Sequence, residues 1–376
     1  MKIGVNTRLL IDNKLEGIGY FTLKNLERLT KEHPNDRFIF FFDRPYNPKF
    51  VFAPNVTPVV IPLPARHPIL WYVYFNILLP VWLKRYKVDV FFSPENYIPC
   101  HCKTPCISTI HDINFEHKPE YIGDRLSLKY MKHFFPLFAR KSARILTVSD
   151  FSRQDIAETY GIPSEKIYVA KNAANELYKT MSKSENIRTR ERYTASCPYF
   201  YFVGALHERK NLANLFTAFD MFKSENENNV KLVIIGNRKW WSGNMAAAYE
   251  RMRHKDDVVF TGRLPLEEVN RIASASIALV FVSFFEGFGI PPLEAYRSGT
   301  AVICSDTTSM PEVNGDAAMY VNPYKPEDIC RAMTRMHNEP ETRRKLIAKG
   351  KEQEKSFSWD KTADLIWKTI VETTDK

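Results

Sequence analysis

The sequence predicts an α/β protein built from two doubly wound parallel-sheet domains. The chain of 376 residues is longer than one typical domain. Apolar strand-like segments alternate with helical patterns along its whole length. The alternation restarts after a charged stretch at 179–196 that lacks apolar periodicity, which predicts a linker there. We therefore expect domains at 1–185 and 186–359, with a C-terminal helix, 360–376, packing back on the first domain.

In the first half of the chain, short continuous apolar runs end in polar residues, which is typical of buried parallel strands. A helix is predicted over 18–29. Another is predicted over 149–161, because it begins with a Ser/Asp cap and stops at Gly161. The predicted strands are 2–6, 37–43, 88–94, 106–112 and 143–150.

The second half repeats this alternation. The predicted strands are 199–204, 231–236, 258–262, 277–283 and 300–306, and the predicted helices are 211–222, 266–276, 292–299 and 357–374. Parallel sheets of this kind bind ligands beyond the carboxyl ends of their strands. We therefore expect a ligand in the crevice between the two domains.

The chain is basic, with a net charge of +10 and a pI of about 9.1. This balance favours an anionic partner, such as a phosphate-bearing small molecule, an acidic lipid headgroup or nucleic acid. The alternative is a mildly basic surface with no specific partner.

The most apolar stretch is 69–83, ILWYVYFNILLPVWL, which has basic flanks. It contains Asn76 and Pro80 and is too short for a typical membrane span. It predicts a buried helix, a surface that dips into a membrane interface, or both. Residues 1–5 resemble a strand rather than a signal peptide.

Three of the six cysteines, Cys100, Cys102 and Cys106, surround His101. Their spacing is irregular and no second pair follows, so it does not match a structural zinc site. We expect reduced thiols in a cytoplasmic chain and no bound metal.

The densest cluster of unusual residues is 284–295, FFEGFGIPPLEA. Gly287 and Gly289 allow a tight turn and a close approach to a ligand. Pro291 and Pro292 suit the first turn of a helix. The stretch predicts a strand, a glycine loop and a helix N-terminus whose free N–H groups favour an anion.

Two carboxylates bracket this loop. Glu286 precedes the turn, and Glu294 is expected in the first helical turn. An ionised carboxylate accepts hydrogen bonds from two hydroxyls, so the pair suits a sugar or a ribose. The alternatives are a solvated loop carboxylate for Glu286 and a favourable interaction with the helix dipole for Glu294.

A second cluster lies at 202–216, FVGALHERKNLANLF. A strand ends at Gly204, and Arg209 and Lys210 precede a helix. Two adjacent cations at the edge of a sheet could pair with a diphosphate. The alternative is a solvated basic loop.

Two further features precede the middle of the chain. Gly17 and Gly19 open a helix, but Thr22 replaces the third glycine of a dinucleotide-binding fingerprint. His111 and Asp112 close a predicted strand. A lone histidine is more often structural than catalytic.

The segment 280–323 closely resembles the donor-binding segment of the retaining nucleotide-sugar glycosyltransferases of glycosyltransferase family 4. It contains the family's pattern of two glutamates separated by seven residues. The resemblance extends over nearly the whole chain and implies the GT-B fold, in which two Rossmann-like domains face each other across a cleft. One departure from the family is Ala205, where many relatives have a basic residue.

The resemblance implies a role for each site residue. The first glutamate would contact the donor sugar, the second would bind the ribose, and the Arg-Lys pair would bind the pyrophosphate. The implied catalytic residues are His111, Glu286, Arg209 and Lys210. The implied donor-binding residues are Gly17, Gly19, Gly204, Arg209, Lys210, Leu264, Glu286, Gly287, Phe288, Gly289, Ile290 and Glu294.

The stretches GIGYFT, HDINFEHKPEY and EGFGIPPLEA resemble bacterial mannosyltransferases of surface-polysaccharide and lipopolysaccharide synthesis. This implies a retaining, metal-independent hexosyltransferase (EC 2.4.1.-) with GDP-mannose as donor, or alternatively a UDP-sugar. The nucleotide sugar is a substrate, so no cofactor is expected. The expected acceptor is a saccharide or lipid-linked saccharide. We expect no nucleic-acid partner and a cytoplasmic location, peripheral at the inner face of the plasma membrane.

Two other classes of protein are less compatible with the residues. A nicotinamide-dependent oxidoreductase needs a complete glycine fingerprint after the first strand, which is missing. A non-catalytic nucleotide-sugar-binding protein of the same fold would be expected to have lost Glu286, Lys210 or His111, and all three are present.

Overall fold

The computed structural model describes residues 1–12, 15, 17–225, 228–238 and 241–375. These residues form two compact units. The first unit comprises Met1–Asn172 and the C-terminal segment from Ser358, and the second comprises Ala173–Phe357.

The stretch 179–196, predicted as a linker, instead contains a helix, Lys183–Thr194, of the second unit. A capping box formed by Ser182 and Glu185 starts this helix. Arg190 Nε donates a hydrogen bond to the carbonyl of Ala275 at 2.8 Å. The linker prediction was wrong because local capping and this contact replace an apolar stripe. The unit boundary consequently lies before the predicted 185/186.

The first unit is built on one parallel sheet. Its described strands are β1 (Lys2–Asn6), β2 (Arg37–Phe42), β3 (Val56–Val60), β4 (Val90–Ser93), β5 (Cys106–Thr109), β6 (Arg144–Thr147) and β7 (Ile167–Val169). They pair in the order β3-β2-β1-β4-β5-β6-β7.

Helices cover this sheet. They are α1 (Gly17–Glu32), α2 (Pro68–Val73), α3 (Leu79–Tyr86), α4 (Asn114–His117), α5 (Arg125–Lys141), α6 (Asp150–Tyr160) and the C-terminal α15 (Trp359–Thr374). The C-terminal helix packs against α1, where Arg28 Nε lies 2.5 Å from a carboxylate oxygen of Asp360. The last helix of the chain therefore completes the first unit.

The second unit repeats this plan. Its described strands are β8 (Tyr199–Val203), β9 (Lys231–Ile235), β10 (Val258–Gly262), β11 (Ala278–Phe281), β12 (Ala301–Ser305) and β13 (Met319–Val321), all parallel in the order β10-β9-β8-β11-β12-β13. Its described helices are α7 (Lys183–Thr194), α8 (Leu212–Glu225), α9 (Gly243–Glu250), α10 (Leu266–Ala275), α11 (Ile290–Arg297), α12 (Met310–Asn314), α13 (Pro326–Asn338) and α14 (Pro340–Glu354).

Each sheet contains one point at which the strand order reverses. In the first unit it lies between β1 and β4, and in the second between β8 and β11. Open parallel sheets bind ligands beyond the carboxyl ends of the strands at such a switch point, because the connecting loops diverge there. A binding site is therefore expected in the loops that follow these four strands.

The position of α11, which follows β11, is fixed by close packing. The buried ring of Tyr296 lies against α14 at Gly350, and its hydroxyl donates to Asn314 Oδ1 at 2.7 Å. A Cβ atom added at Gly350 would lie 2.2 Å from Cδ1 of the Tyr296 ring. Only glycine allows α14 to approach α11 this closely.

We expect Gly350→Ala to lower the free energy of unfolding of the second unit by about 1–3 kcal/mol, because the buried ring cannot move away from the new methyl group. Urea unfolding measures this. The matched control is Gly243→Ala, since Gly243 has open space around it in the described part of the chain, with no atom within 4 Å of an added Cβ outside its chain neighbours and its own helix backbone. Equal stability of both variants would contradict this packing.

Candidate active site

The loops that follow β8 and β11 are tied together at the switch point of the second sheet. Phe284 N donates to the carbonyl of Arg209 at 2.9 Å. Asn211 Nδ2 donates to the carbonyl of Val282 at 2.9 Å. Asn211 adopts a left-handed backbone conformation with φ of 61°, which asparagine tolerates better than most residues. The two loops therefore form one connected surface.

Glu286 lies at the centre of this surface between two cations. Arg209 Nη1 lies 3.0 Å from Oε2 of Glu286, and Lys210 Nζ lies 2.6 Å from Oε1. Arg209 Nη1 also donates to the carbonyl of Phe285 at 2.8 Å. Glu286 is only 5% exposed, so the alternative of a solvated loop carboxylate is wrong.

The two cations keep the Glu286 carboxyl ionised. Burial by itself raises the pKa of a carboxyl group, because it removes water from the charged form. The charges of Arg209 and Lys210 outweigh this effect and lower the pKa of Glu286 to about 2. The site therefore contains a fixed anion and two fixed cations at neutral pH.

The glycine loop presents its backbone to the site. Gly289 has a φ of 87°, and a Cβ atom added there would lie 2.3 Å from Cε of Met310. Ser309 Oγ donates to the carbonyls of Glu286 and Phe288 at 2.9 and 3.1 Å. The side chain of Phe288 is buried, so this residue can contact a ligand only through its main chain.

Helix α11 begins at Ile290, two residues before the predicted start. Glu294 therefore lies in the second turn and not in the predicted first turn. Pro291 and Pro292 lack an N–H group, so only two of the first four helical residues can donate. The expectation of a helix N-terminus rich in free N–H groups is corrected accordingly.

Glu294 is partly buried against a segment that follows the first unit's last strand in sequence. The hydroxyl of Tyr178 and the backbone N–H of Asn175 donate hydrogen bonds to its carboxyl group. Burial outweighs these two donors and raises the pKa of Glu294 to about 7. Its charge therefore changes near neutral pH. A favourable interaction with the helix dipole would lower this pKa, so that alternative does not explain the shift.

Two more predicted residues lie at the carboxyl edge of the second sheet. Gly204 follows β8, and its carbonyl oxygen would lie 2.1 Å from a Cβ atom added at Gly236. This close approach requires glycine at position 236, which follows β9. Leu264 follows β10, two strands away from β8, and is partly buried.

The other predicted residues lie in the first unit. Gly17 begins α1 and is exposed, and among the described residues outside its chain neighbours and its own helix backbone no atom lies within 4 Å of an added Cβ. Gly19 is buried, and its added Cβ would lie 3.1 Å from the carbonyl oxygen of Leu9. Positions 13, 14 and 16 of the preceding loop lie outside the described residues. Of these two glycines, Gly19 is the one for which the described residues give a packing reason.

His111 lies beyond β5 in the first unit. Its Nε2 is 2.9 Å from the carbonyl oxygen of Pro94, and its ring meets the Phe21 ring edge-on with centroids 5.0 Å apart. Since a carbonyl only accepts, a neutral His111 donates from Nε2 and retains Nδ1 as an acceptor. Burial lowers the pKa of His111, which favours this neutral form.

A buried ion pair that was not predicted from the sequence lies at the switch point of the first sheet. Arg8, beyond β1, forms a two-pronged contact with Glu95, beyond β4, and its Nε lies 2.9 Å from Oε1. Asn6 Nδ2 donates to the same oxygen at 2.7 Å. Both charged residues follow continuous apolar strands, and this is the signal in the sequence that could have predicted them.

All six cysteines are free thiols. The Sγ atoms of Cys102 and Cys106 lie 3.6 Å apart in the first unit. Within the part of the chain that the structure describes, no three His, Cys, Asp or Glu residues are grouped so as to hold a metal ion.

Comparison with family models gives two matches. Residues 21–176 match the model described as Glycosyltransferase Family 4, and residues 183–353 match the model described as Glycosyl transferases group 1. The second match contains the site around Glu286, and the first contains His111.

Curated relatives cover most of the chain. It is 31% identical over 300 residues to O-antigen chain mannosyltransferase B of Escherichia coli, which covers 78% of each chain. It is 30% identical over 278 residues to O-antigen chain mannosyltransferase RfbU of Salmonella typhimurium, covering 73% of this chain and 72% of the relative.

Solved structures show the same fold. Sucrose-phosphate synthase of Thermosynechococcus elongatus superposes with a TM-score of 0.78 at 14% identity, covering 99% of this chain and 98% of that one. HepE of Anabaena, in complex with UDP and glucose, gives 0.75 at 15% identity, covering 99% and 100%. The predicted fold class, two Rossmann-like parallel-sheet domains of the GT-B type, is confirmed. With its family models and its curated relatives in agreement, the chain belongs to the group 1 and family 4 glycosyltransferases.

Proposed function

We propose that this protein is a retaining hexosyltransferase that transfers mannose from GDP-mannose to a lipid-linked or oligosaccharide acceptor in bacterial surface-polysaccharide synthesis. The observation that carries the proposal is the buried Glu286 carboxylate held by Arg209 and Lys210 at the switch point of the second sheet. The names of two similar proteins, both O-antigen mannosyltransferases, support mannose and surface polysaccharide.

The cation pair suits a diphosphate leaving group. Breaking the bond between a sugar and a nucleoside diphosphate develops negative charge on the phosphate oxygen. Arg209 and Lys210 are already fixed by Glu286, so they can stabilise this charge without first being reoriented. Three charges of which two are positive leave a local excess of one positive charge for the incoming anion.

The two glutamates suit different hydroxyls. The ionised Glu286 can accept from hydroxyls of the transferred sugar while it remains paired with the cations. Glu294 lies beyond the glycine loop, in the second turn of α11. Its ionised form can accept hydrogen bonds from the two ribose hydroxyls. The backbone of Gly287–Ile290 lies between them in sequence and supplies N–H donors that do not depend on side-chain identity.

This arrangement supports a retaining, metal-independent reaction. The two cations supply the charge stabilisation that a metal ion provides in other transferases. The acceptor hydroxyl attacks from the side of the leaving diphosphate, and a leaving phosphate oxygen takes its proton. No dedicated base and no cofactor are then required. His111, in the first unit, would contribute to shaping the reaction site rather than accept this proton.

The donor is tested by saturation-transfer NMR with GDP-mannose, UDP-glucose and NAD, followed by a transfer assay with and without EDTA. We expect saturation transfer to GDP-mannose and turnover that survives EDTA. Binding of NAD without binding of any nucleotide sugar would overturn the proposed function, and preference for UDP-glucose would replace the donor.

We further propose that the enzyme works at the inner face of the plasma membrane, where a lipid-linked acceptor would be held. In the described residues, no helix combines the length and the apolar character needed to cross a bilayer. A peripheral contact is supported instead by the excess of ten positive charges, because the inner leaflet is anionic.

Substitutions of Lys210 and Glu286 distinguish the effect of this charged cluster on GDP binding from its effect on transfer. We expect Lys210→Ala to weaken binding of GDP and to slow transfer by roughly 10²–10³-fold, which corresponds to ~3–4 kcal/mol of lost charge stabilisation. Glu286→Gln should slow transfer similarly but bind GDP at least as tightly as the wild type, because it removes the negative charge beside the two cations. Calorimetry and a transfer assay measure the two effects.

The control for these variants is Lys345→Ala on the exposed side of α14, which should behave as the wild type. Thermal unfolding shows whether each variant is folded. Near-normal transfer by both folded Lys210→Ala and folded Glu286→Gln would refute the site assignment.

The raised pKa of Glu294 predicts a pH-dependent nucleotide affinity. With a pKa of about 7, Glu294 is mostly protonated at pH 6 and mostly ionised at pH 8. GDP affinity should therefore rise about five- to tenfold across this range, because only the carboxylate accepts from both ribose hydroxyls. Calorimetry at several pH values measures it.

Glu294→Gln is the matched control, since it removes the titration and should flatten this part of the pH dependence.

The raised pKa of Glu294 also has a consequence for the stability of the fold. Because the folded-state pKa lies above the usual 4.5, the folded protein holds the proton more tightly, and its stability relative to the Gln variant should fall as pH rises from about 4.5 to 7. An identical pH dependence in both proteins would contradict the assignment.

A further inference from the structure

Two neighbouring helical segments of the first unit expose large apolar side chains. Ten such side chains are exposed among the described residues, and six of them lie on α2–α3 and α5. We call this surface the apolar face and define it by Ile69, Tyr72, Ile77, Val81, Leu126 and Leu137. The remaining exposed apolar side chains are scattered on other elements, which is normal for a protein surface.

The apolar side chains on α2–α3 form one stripe. Ile69, Ile77 and Val81 are 62%, 51% and 64% exposed. The two helices are joined by a π-helical turn, Tyr74–Leu78, which precedes Pro80. A regular α-helix has about 3.6 residues per turn, so side chains spaced four residues apart move gradually around its surface. The wider π-helical turn compensates for this rotation and keeps the three side chains on one side. The opposite side of the segment is buried, so the predicted buried helix holds for one side only.

The outer side of α5 continues this surface. Leu126, Lys129, His133, Leu137 and Arg140 are exposed and follow one another at intervals of three or four residues, which places them on one side of a helix. The ring of Phe134, beside His133, lies 5.8 Å from the ring of Tyr72. The exposed sides of α5 and α2 therefore border each other.

The surroundings of the apolar face are strongly cationic. The stretches 61–88 and 125–141 contain nine lysines and arginines and no aspartate or glutamate. Asp89 and Asp124 directly flank these stretches, and Lys132 Nζ lies 3.9 Å from a carboxylate oxygen of Glu116, so positive charges remain in clear excess. Lys84, Arg85 and Lys87 are exposed at the end of α3, directly after the apolar stripe. The basic excess that the composition reports is thus concentrated on this part of the first unit.

We propose that the apolar face, with its basic surroundings, is the surface by which the protein docks on an anionic lipid bilayer. Side chains such as Ile77 and Val81 gain free energy by entering the acyl region, and the surrounding cations gain it from the anionic headgroups. This proposal rests on the proposed function, because docking would bring the enzyme to a lipid-linked acceptor. Binding to a bilayer can nevertheless be measured without any transfer reaction.

Two other occupants fit the surface less well. Nucleic acid would satisfy the cations, but it would leave the aliphatic stripe in water. A second copy of this chain, related by twofold symmetry, would place one cationic surface against another. An anionic bilayer is the partner that satisfies both properties.

The test is co-sedimentation of the full chain with vesicles. One set contains phosphatidylcholine with a minority of phosphatidylglycerol, and the other contains phosphatidylcholine alone. We expect binding to the anionic vesicles that weakens as salt is added, and little binding to the neutral vesicles. The double variants Ile77→Glu/Val81→Glu and Lys84→Glu/Arg85→Glu should each bind at least about tenfold more weakly. The first places negative charges where apolar side chains would enter the acyl region, and the second reverses two of the cations that face the headgroups.

Matched controls carry the same changes in the second unit. Ile187→Glu introduces a charge at an apolar side chain that is 49% exposed, and Lys345→Glu/Lys351→Glu reverses two exposed charges on α14. Both should bind vesicles as the wild type does. Docking is refuted if the wild type ignores anionic vesicles, if neutral vesicles bind it equally, or if the controls lose as much binding.

Self-association is tested by sedimentation velocity. We expect a monomer in the absence of vesicles. A dimer that Ile77→Glu/Val81→Glu dissociates would assign the face to a second copy and overturn the proposal. Donor binding is measured separately by NMR, so failure of docking and failure of the proposed function are distinguishable.

Discussion

The second unit depends on a buried carboxylate that can stay charged only beside two cations. Without Arg209 and Lys210, burial would favour the protonated form of Glu286. Glu286 in turn contacts both cations, and the carbonyl of Phe285 is a further acceptor for Arg209. The triad of Glu286, Arg209 and Lys210 is therefore mutually supporting. The members of the triad come from the loops after β8 and β11, so the triad holds these two loops together. The charged groups are therefore oriented when the protein folds and need not be reoriented when a ligand binds.

The first unit uses a similar solution at its own switch point. Arg8 follows β1 and Glu95 follows β4, as Arg209 follows β8 and Glu286 follows β11. The two pairs differ in how fully they are satisfied. Glu95 contacts a single guanidinium and the amide of Asn6, so its one negative charge faces one positive charge. Glu286 instead shares its charge between two cations, so the local charge remains positive and suits an anion.

Local patterns predicted most of this arrangement, because a buried parallel strand and its polar end are encoded in adjacent residues. Strand β1 matched its predicted bounds, and α6 has the Ser149 and Gly161 caps that predicted it. Long-range effects could not be predicted in this way. The environment of Glu294 depends on Asn175 and Tyr178, which lie far away in sequence. Edge strand β3 contains a proline, and the polar α7 was hidden because its stability comes from capping and packing.

Net charge illustrates the same limit. Composition alone could assign the positive excess to a diphosphate site, a lipid surface or a nucleic acid. In the structure, the carboxylate of Glu286 offsets one of the two positive charges of Arg209 and Lys210. The stretches 61–88 and 125–141 contain no acidic residue of their own, although Lys132 lies 3.9 Å from a carboxylate oxygen of Glu116. A site that must recognise one anion benefits from a small, fixed excess of charge. A surface that must collect a diffuse layer of anions benefits from a larger excess, so the proposed docking accounts for the basic pI better than the proposed donor binding does.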